Sequence, residues 1–359
     1  MTTSRTHPYR GLPDRAYWRR SVSRTTGPIG LTGASLFRDD DRVMSAGSCF
    51  ASNLVPWLLE AGITYVRTEP PHPSLEQLPE NLGYREFSAA YGNMYTVRQF
   101  TQLIDRARGR FSPAEDRWNT GEAVIDPFRP GLKYPARSDG EFDALTRQHL
   151  ACVSRALDEA TVVVFTLGLT ETWRSTVDGA IFPVAPGVIA GTFDSTRHEF
   201  ANLTYQDVLD DLTHLRKQLD EFDSRTRLVL TVSPVPLVAT ASDCHVLTAS
   251  TYSKSVLRAA AGRAAETLTN VEYFPAYEIV TGPQAPGSYF EDDARTVSPE
   301  GIEAVMRAML GQPDADAPRR TDAERATAGA EANTQISESM RLSQLIADAE
   351  CEEALLDDA

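Results

Sequence analysis

Apolar positions along this chain alternate between short unbroken runs and longer stretches with helical spacing. Residues 43–46, Thr161–Leu167, Arg227–Val232 and Val271–Phe274 are strand-sized runs, the pattern of strands covered on both faces. Between and around them, residues 51–61, 96–108, 141–158, 204–222, 251–268 and 298–310 place apolar side chains three and four apart, as one face of a helix does. In 96–108, for example, Val97, Phe100, Leu103, Ile104 and Ala107 share a side. The stretches 67–83 and 112–140 are rich in Pro, Gly and charge and predict irregular structure. Asp178-Gly179, inside Val177–Val184, predicts a hairpin turn.

Short strands separated by helices predict a mainly parallel, doubly wound α/β sheet. Ligands of such sheets bind beyond the carboxyl ends of the strands. Ser48, Gly168 and Ser233 each follow a predicted strand, so the pattern sends all three to one edge. Around Ser48 the order is strand, tight turn, then a helix opened by Leu54, Leu58 and Leu59. A hydroxyl there lies beside the free N–H groups of a helix start, which can hold an oxyanion. The alternative is a plain N-cap serine. Cys49 offers a second nucleophile by the same placement.

Composition narrows the classes. Hydrophobic content of 42% over 359 residues supports a sizeable core. No apolar run approaches the ~20 residues of a membrane helix, and the first residues lack the apolar region of a signal peptide. The expectation is a cytoplasmic protein with no membrane attachment. Cys49, Cys152, Cys244 and Cys351 are scattered without metal-ligand spacing, so no metal, no cofactor and no disulfide are expected. The net charge of −15 argues against a nucleic-acid partner. Residues 1–30 form an Arg-rich arm, 31–312 the body with an inserted cap region at about 93–150, and 313–359 an acidic linker. Within that tail, 336–356 carries Leu342, Leu345, Ile346 and Ala349 on one helical face. The stripe predicts docking onto the body, a neighbouring subunit or a partner protein.

Longer segments carry a resemblance. Gly-Ser-Cys-Phe-Ala at 47–51, YGNMYT at 91–96, DPFRP at 126–130, FTLGLTETW at 165–173, PGVIAGTFD at 186–194, LTVSPVPLVATASDCHVL at 230–247, YSKSVLRAA at 252–260 and YFPAYEI at 273–279 follow in order. From about Tyr17 to Leu310 the chain resembles the GSCFA-domain family, placed near the SGNH/GDSL hydrolases. That resemblance implies an SGNH-like fold and a serine-dependent ester hydrolase or O-acyltransferase acting on a small-molecule or carrier-linked acyl substrate. It makes Ser48 the nucleophile and, with the Ser48 N–H, makes Gly92 and Asn93 oxyanion donors. Gly168, Thr170 and Glu171 stand in the block where related enzymes have Gly-x-Asn-Asp. Asp293 matches the acid of the Asp-x-x-His block, but Thr296 stands where the histidine belongs.

A serine hydroxyl needs a base, and Thr296 cannot be one. Of the six histidines, His245 follows the strand Arg227–Val232 and should reach the Ser48 edge, with Asp243 or Asp293 to orient it. His198 is a second possibility, and His149 and His214 fall in predicted helices, where a packed or solvated ring is the ordinary outcome. Lys254, at the predicted start of a helix, opposes the helix dipole and calls for an anionic partner. Arg129 and Trp173 are candidates to line the cleft or simply to pack. The rival class is a binding or scaffold protein built on a decayed hydrolase body.

Overall fold

The computed structural model describes residues 7–22, 35–70, 84, 87–130, 132 and 135–311. The expected tail and its 336–356 helix lie outside the described residues, as do His72 and most of the loop at 67–83. By its internal contacts the chain divides into one unit of Met1–Leu36 with Pro275–Ala317 and another of Phe37–Phe274 with Pro318–Ala359.

The larger unit holds the central sheet. Its strands are β1 (Arg42–Gly47), β2 (Thr64–Tyr65), β3 (Val162–Leu167), β4 (Arg227–Val232) and β5 (Val271–Phe274). They run parallel in the order β5-β4-β3-β1-β2. This is a doubly wound α/β sheet, and four of its strands fall within a residue of the apolar runs. Every residue of β3 is buried, because helices must cover both faces of a sheet linked by crossovers. From β1 the chain crosses to β2 on one side and later to β3 on the other, so the strand order reverses between β1 and β3. A doubly wound sheet opens a crevice at that reversal.

Five helices serve these crossovers: α1 (Leu54–Glu60), α2 (Val97–Ala107), α3 (Asp139–Glu159), α4 (Tyr205–Asp223) and α5 (Val246–Thr267). Right-handed connections put α1 on one face and the rest on the other. Helices α2, α3, α4 and α5 indeed pack side by side. Thus α2 and α3, inside the stretch read as an insertion, belong to the helix layer. Phe100 of α2 stacks on Phe165 of β3 with ring centres 5.3 Å apart. Helix starts are closed by side chains, with capping boxes at Thr96–Gln99 and Thr204–Asp207.

Of two smaller sheets, one was not legible in the sequence and the other extends the predicted hairpin. Trp118–Asn119 pairs with Val124–Ile125 inside the stretch read as irregular. Glu171–Ser175 pairs with both Ile181–Phe182 and His198–Asn202, so the predicted hairpin gains a third strand. Gly179 sits at φ +76 in its turn, where a residue without Cβ is favoured.

The smaller unit contains the helices Trp18–Ser21, Ala276–Thr281 and Pro299–Met309. Ser298 caps the last of these through the Gly301 N–H at 3.2 Å. Among the described residues, no helix is long and apolar enough to cross a membrane.

One half-buried ion pair joins two layer helices. Arg98 of α2 reaches both carboxylate oxygens of Asp211 of α4, at 3.0 and 3.1 Å. Burial pushes the Asp211 carboxyl up to about 6, against the pull of Arg98. A carboxyl raised above its unfolded value binds its proton more tightly in the folded state, so stability falls as pH rises from about 4 to about 6. Asp211→Asn should remove about 1–2 kcal/mol of that fall, as seen in urea unfolding at pH 4.5 and 7.

Candidate active site

The site begins with a close approach. Gly47 ends β1 at φ +135, and a Cβ there would lie 2.4 Å from the Thr166 carbonyl oxygen of β3. Only glycine lets the two strand ends draw together in this way. The next residue, Ser48, leads into a 3-10 turn at Cys49–Asn53 and then α1. Its N–H donates to the Thr166 carbonyl at 3.2 Å, and its carbonyl accepts from Ala51 N–H at 2.8 Å. The side chain is 3% exposed, and its Oγ has no hydrogen-bond partner. A capping serine would bond the helix N–H groups; Ser48 does not. Leaving a buried hydroxyl unpaired costs about 1–3 kcal/mol, so this hydroxyl is not there for stability. The side chain of Cys49 lies outside the described structure.

A strap at Tyr91–Thr96 crosses the strand ends. The Tyr91 hydroxyl donates to the Ser45 carbonyl, and Met94 N–H donates to the Gly47 carbonyl at 2.8 Å. Gly92 takes φ +68, and Asn93 is buried. From the far side, Gly168 and Leu169 donate their N–H groups to the Tyr95 carbonyl at 3.0 and 3.1 Å. A Cβ on Gly168 would stand 3.2 Å from Ser48 Cβ and from Tyr95 Cα. The structure therefore brings Ser48 and Gly168 together, with Gly92 and Asn93 on the strap above Gly47. It also corrects one expected donor, since the Ser48 N–H is engaged by Thr166.

The remaining candidates are anchored elsewhere. Thr170 donates its hydroxyl to Asn202 Oδ1 at 2.7 Å and its N–H to Ser253 Oγ at 3.0 Å. Glu171 accepts from the Thr240 and Ser242 hydroxyls at 2.6 and 2.9 Å, tying down the loop after β4. Trp173 packs edge-on to Phe193 and Phe200 with ring centres 5.4 and 5.8 Å away. Helix α5 starts at Val246, five residues earlier than the pattern predicts, so Lys254 lies in its interior and not at a dipole end. Its ammonium is buried and donates to the Gly168 carbonyl at 2.7 Å.

His245 is exposed and caps α5, its Nδ1 accepting the Leu247 N–H at 3.1 Å. A backbone N–H only donates, so a neutral ring in this bond carries its hydrogen on Nε2 and offers no lone pair there. Asp293 closes its own turn in the smaller unit, accepting from the Arg295 and Thr296 N–H groups at 2.8 Å and from the Thr296 hydroxyl at 2.6 Å. Thr296 thus completes an Asp turn where the resemblance calls for histidine.

The apolar pattern missed a buried charged cluster. Glu69, just past β2, approaches His149 of α3 with Oε2 2.7 Å from Nδ1 and accepts the Ala90 N–H at 2.8 Å. Arg129 lies 3.6 Å from Glu69 and 2.8 Å from Asp126. Burial alone would raise the Glu69 carboxyl, but His149, Arg129 and the Ala90 N–H hold it below its usual range. Burial and Arg129 push the His149 ring below the usual imidazole range. The available signal was His149 on the buried face of α3 with Phe142, Cys152, Val153 and Ala156. Its partner comes from a distant segment, so spacing could not reveal it.

The GSCFA family model matches residues 42–309, from β1 through the last helix of the smaller unit. The chain belongs to the GSCFA family. Comparison with curated proteins gives no match. Among solved structures, the chain is similar to an acetyl esterase mutant crystallised with an acetate ion, at 10% identity and a TM-score of 0.32, over 76% of this chain and 95% of that one. It is similar also to a carbohydrate esterase family 3 structure from Talaromyces cellulolyticus, at 11% identity and a TM-score of 0.33, over 75% and 94%. Likeness at that level says nothing about what this GSCFA protein acts on. Among its described residues no group of three or more His, Cys, Asp or Glu could hold a metal ion.

The closeness of Gly47 to Thr166 makes a test of this geometry. Gly47→Ala should cost about 2–4 kcal/mol of stability through clash and strain, measured by urea unfolding. Gly62→Ala, at φ +75 with open space around its Cβ position, should cost about 1 kcal/mol.

Proposed function

We propose that this GSCFA protein is a serine-dependent acyl-transfer enzyme, an ester hydrolase or O-acyltransferase, with Ser48 as nucleophile. The observation that carries this reading is the Ser48 hydroxyl, buried without a hydrogen-bond partner at a strand-to-helix turn. That turn lies where the sheet order reverses, the place where doubly wound sheets bind ligands. A buried hydroxyl without a protein partner gives up no hydrogen bond to the protein when it attacks.

In this reading Ser48 Oγ bonds to the acyl carbon of an ester. Gly92 and Asn93 meet the oxygen that becomes negative, and Lys254 holds the Gly168 peptide that packs on the Ser48 side chain. Water or an acceptor hydroxyl then releases the acyl group. Donors fixed by the fold need little reorganisation as charge develops, which is the main source of such catalysis. An acyl substrate bound to a small molecule or a carrier suits this arrangement equally well.

A fluorophosphonate probe should label the folded protein at Ser48, located by peptide mapping. Ser48→Ala should lose labelling and any turnover of small aryl esters by a factor of about a thousand or more, with its unfolding midpoint unchanged or raised. Cys49→Ser should keep labelling at Ser48. Absence of labelling in folded wild-type protein would transfer the weight to a binding or scaffold role.

A further inference from the structure

Among the described residues, the Oγ atoms of Ser48, Thr146 and Thr231 are buried hydroxyls without partners, and His149 Nε2 is a buried imidazole nitrogen without one. Only one other described imidazole is buried, His198, and both of its nitrogens are engaged. Its Nδ1 accepts from Asp194 N–H at 3.1 Å, and its Nε2 lies 3.0 Å from Glu115. His149 differs in its tautomer. The Glu69 carboxylate only accepts, so Nδ1 carries the hydrogen and Nε2 carries an open lone pair. His245 has the opposite arrangement.

Position supports a shared site. Helix α3 returns antiparallel to β3, and His149 stands ten residues before its end at Glu159, roughly 15 Å back along the helix. Six-residue β3 rises about 17–20 Å. His149 therefore lies near the level of the carboxyl ends of the strands. Glu69 is tied to the segment that leads into the strap: it accepts the Ala90 N–H at 2.8 Å, and the next residue, Tyr91, donates its hydroxyl to the Ser45 carbonyl of β1. His149 borders a cavity of about 30 Å³ lined also by Asn93 and Met94 of the strap and by Arg106 and Arg129. Its Met94 N–H is the one bonded to the Gly47 carbonyl. The space suits one or two water molecules.

The charges around the ring are balanced. Glu69 and Asp126 face Arg129 and Arg106, with Arg106 lying over the Phe128 ring at 4.3 Å. Two carboxylates against two guanidiniums leave no electrostatic demand for a charged imidazole, and burial further favours the neutral ring. A neutral ring with its lone pair on Nε2 is the form a general base requires.

We propose that His149, oriented by Glu69, accepts the Ser48 proton through bridging water. The inference rests on the reading of Ser48 as nucleophile. As Oγ bonds to the acyl carbon, the proton moves to Nε2 and the carbonyl electron pair moves to oxygen. Collapse of the adduct expels the alcohol oxygen, which takes the proton back from Nε2. Glu69 is a positioning residue, holding the tautomer and stabilising the imidazolium as it forms.

The test is the rate of fluorophosphonate labelling of Ser48 in the full chain between pH 5 and 9, with near-ultraviolet circular dichroism to verify folding. His149→Gln and His149→Ala should slow labelling by about a hundredfold or more, while His245→Ala stays within about threefold of wild type. Glu69→Gln should slow it and shift the acid limb of the pH profile downward, because the carboxylate raises the affinity of His149 for its proton. A folded His149→Gln protein that labels at the wild-type rate overturns this inference and leaves Ser48 as nucleophile. Loss in His245→Ala instead also overturns it. If neither His149 variant folds, the Glu69→Gln profile decides, and an unmoved acid limb counts against the pair. Wild-type protein that does not label defeats both the nucleophile and its base.

Discussion

The carboxyl edge of the sheet depends on how nearly β1 touches β3 at Gly47. With no side chain at that position, the Ser48 N–H reaches the Thr166 carbonyl and the Gly47 carbonyl stays open to Met94. Those two bonds set the pitch of the serine turn and the height of the strap above it. Gly168 repeats the device just past β3, where a methyl group would press on Ser48 and Tyr95. Two glycines at the ends of neighbouring parallel strands thus draw three segments to one point, and the buried hydroxyl results from their closeness.

A second constraint is electrostatic. Glu69, Asp126, Arg106, Arg129 and His149 are all at least nine-tenths buried, and burying charges costs several kcal/mol per ion before pairing repays it. An apolar cluster of the same volume would be at least as stable. Arg216, by contrast, spends its buried guanidinium on the Thr226 carbonyl and Asp220 and holds a helix end. The Glu69 cluster closes no helix; it surrounds one imidazole nitrogen and a small cavity.

Much of the fold was legible because parallel strands buried on both faces leave unbroken apolar runs. Strands β1, β3, β4 and β5 emerged within a residue of their ends, and Ser48 and Gly168 fell at one edge as their positions required. Strand β2 was missed because two residues, Thr64 and Tyr65, are too few to make a pattern. The start of α5 was misjudged because its first turn is fixed by a histidine cap, not by apolar spacing. The Glu69–His149 pair escaped because its members lie 80 positions apart, and nothing local marks a helix histidine as a partner of a loop carboxylate. His245 drew attention through its place after β4, yet its orientation is set by a backbone N–H that no residue pattern displays.

The parallel register of β1 on β3 has a consequence for how the protein matures. The contacts of Gly47 and Ser48 with Thr166 and Gly168 join segments separated by the strap, α2 and α3, so they cannot form while the chain has only local structure. Parallel pairing of this kind pays its loop-closure entropy before any contact repays it, and it is slow. The hydroxyl is therefore desolvated only once these non-local contacts have formed. A chain in which β1 and β3 have not paired has an ordinary, hydrated serine at this position, and completing the sheet is what buries it.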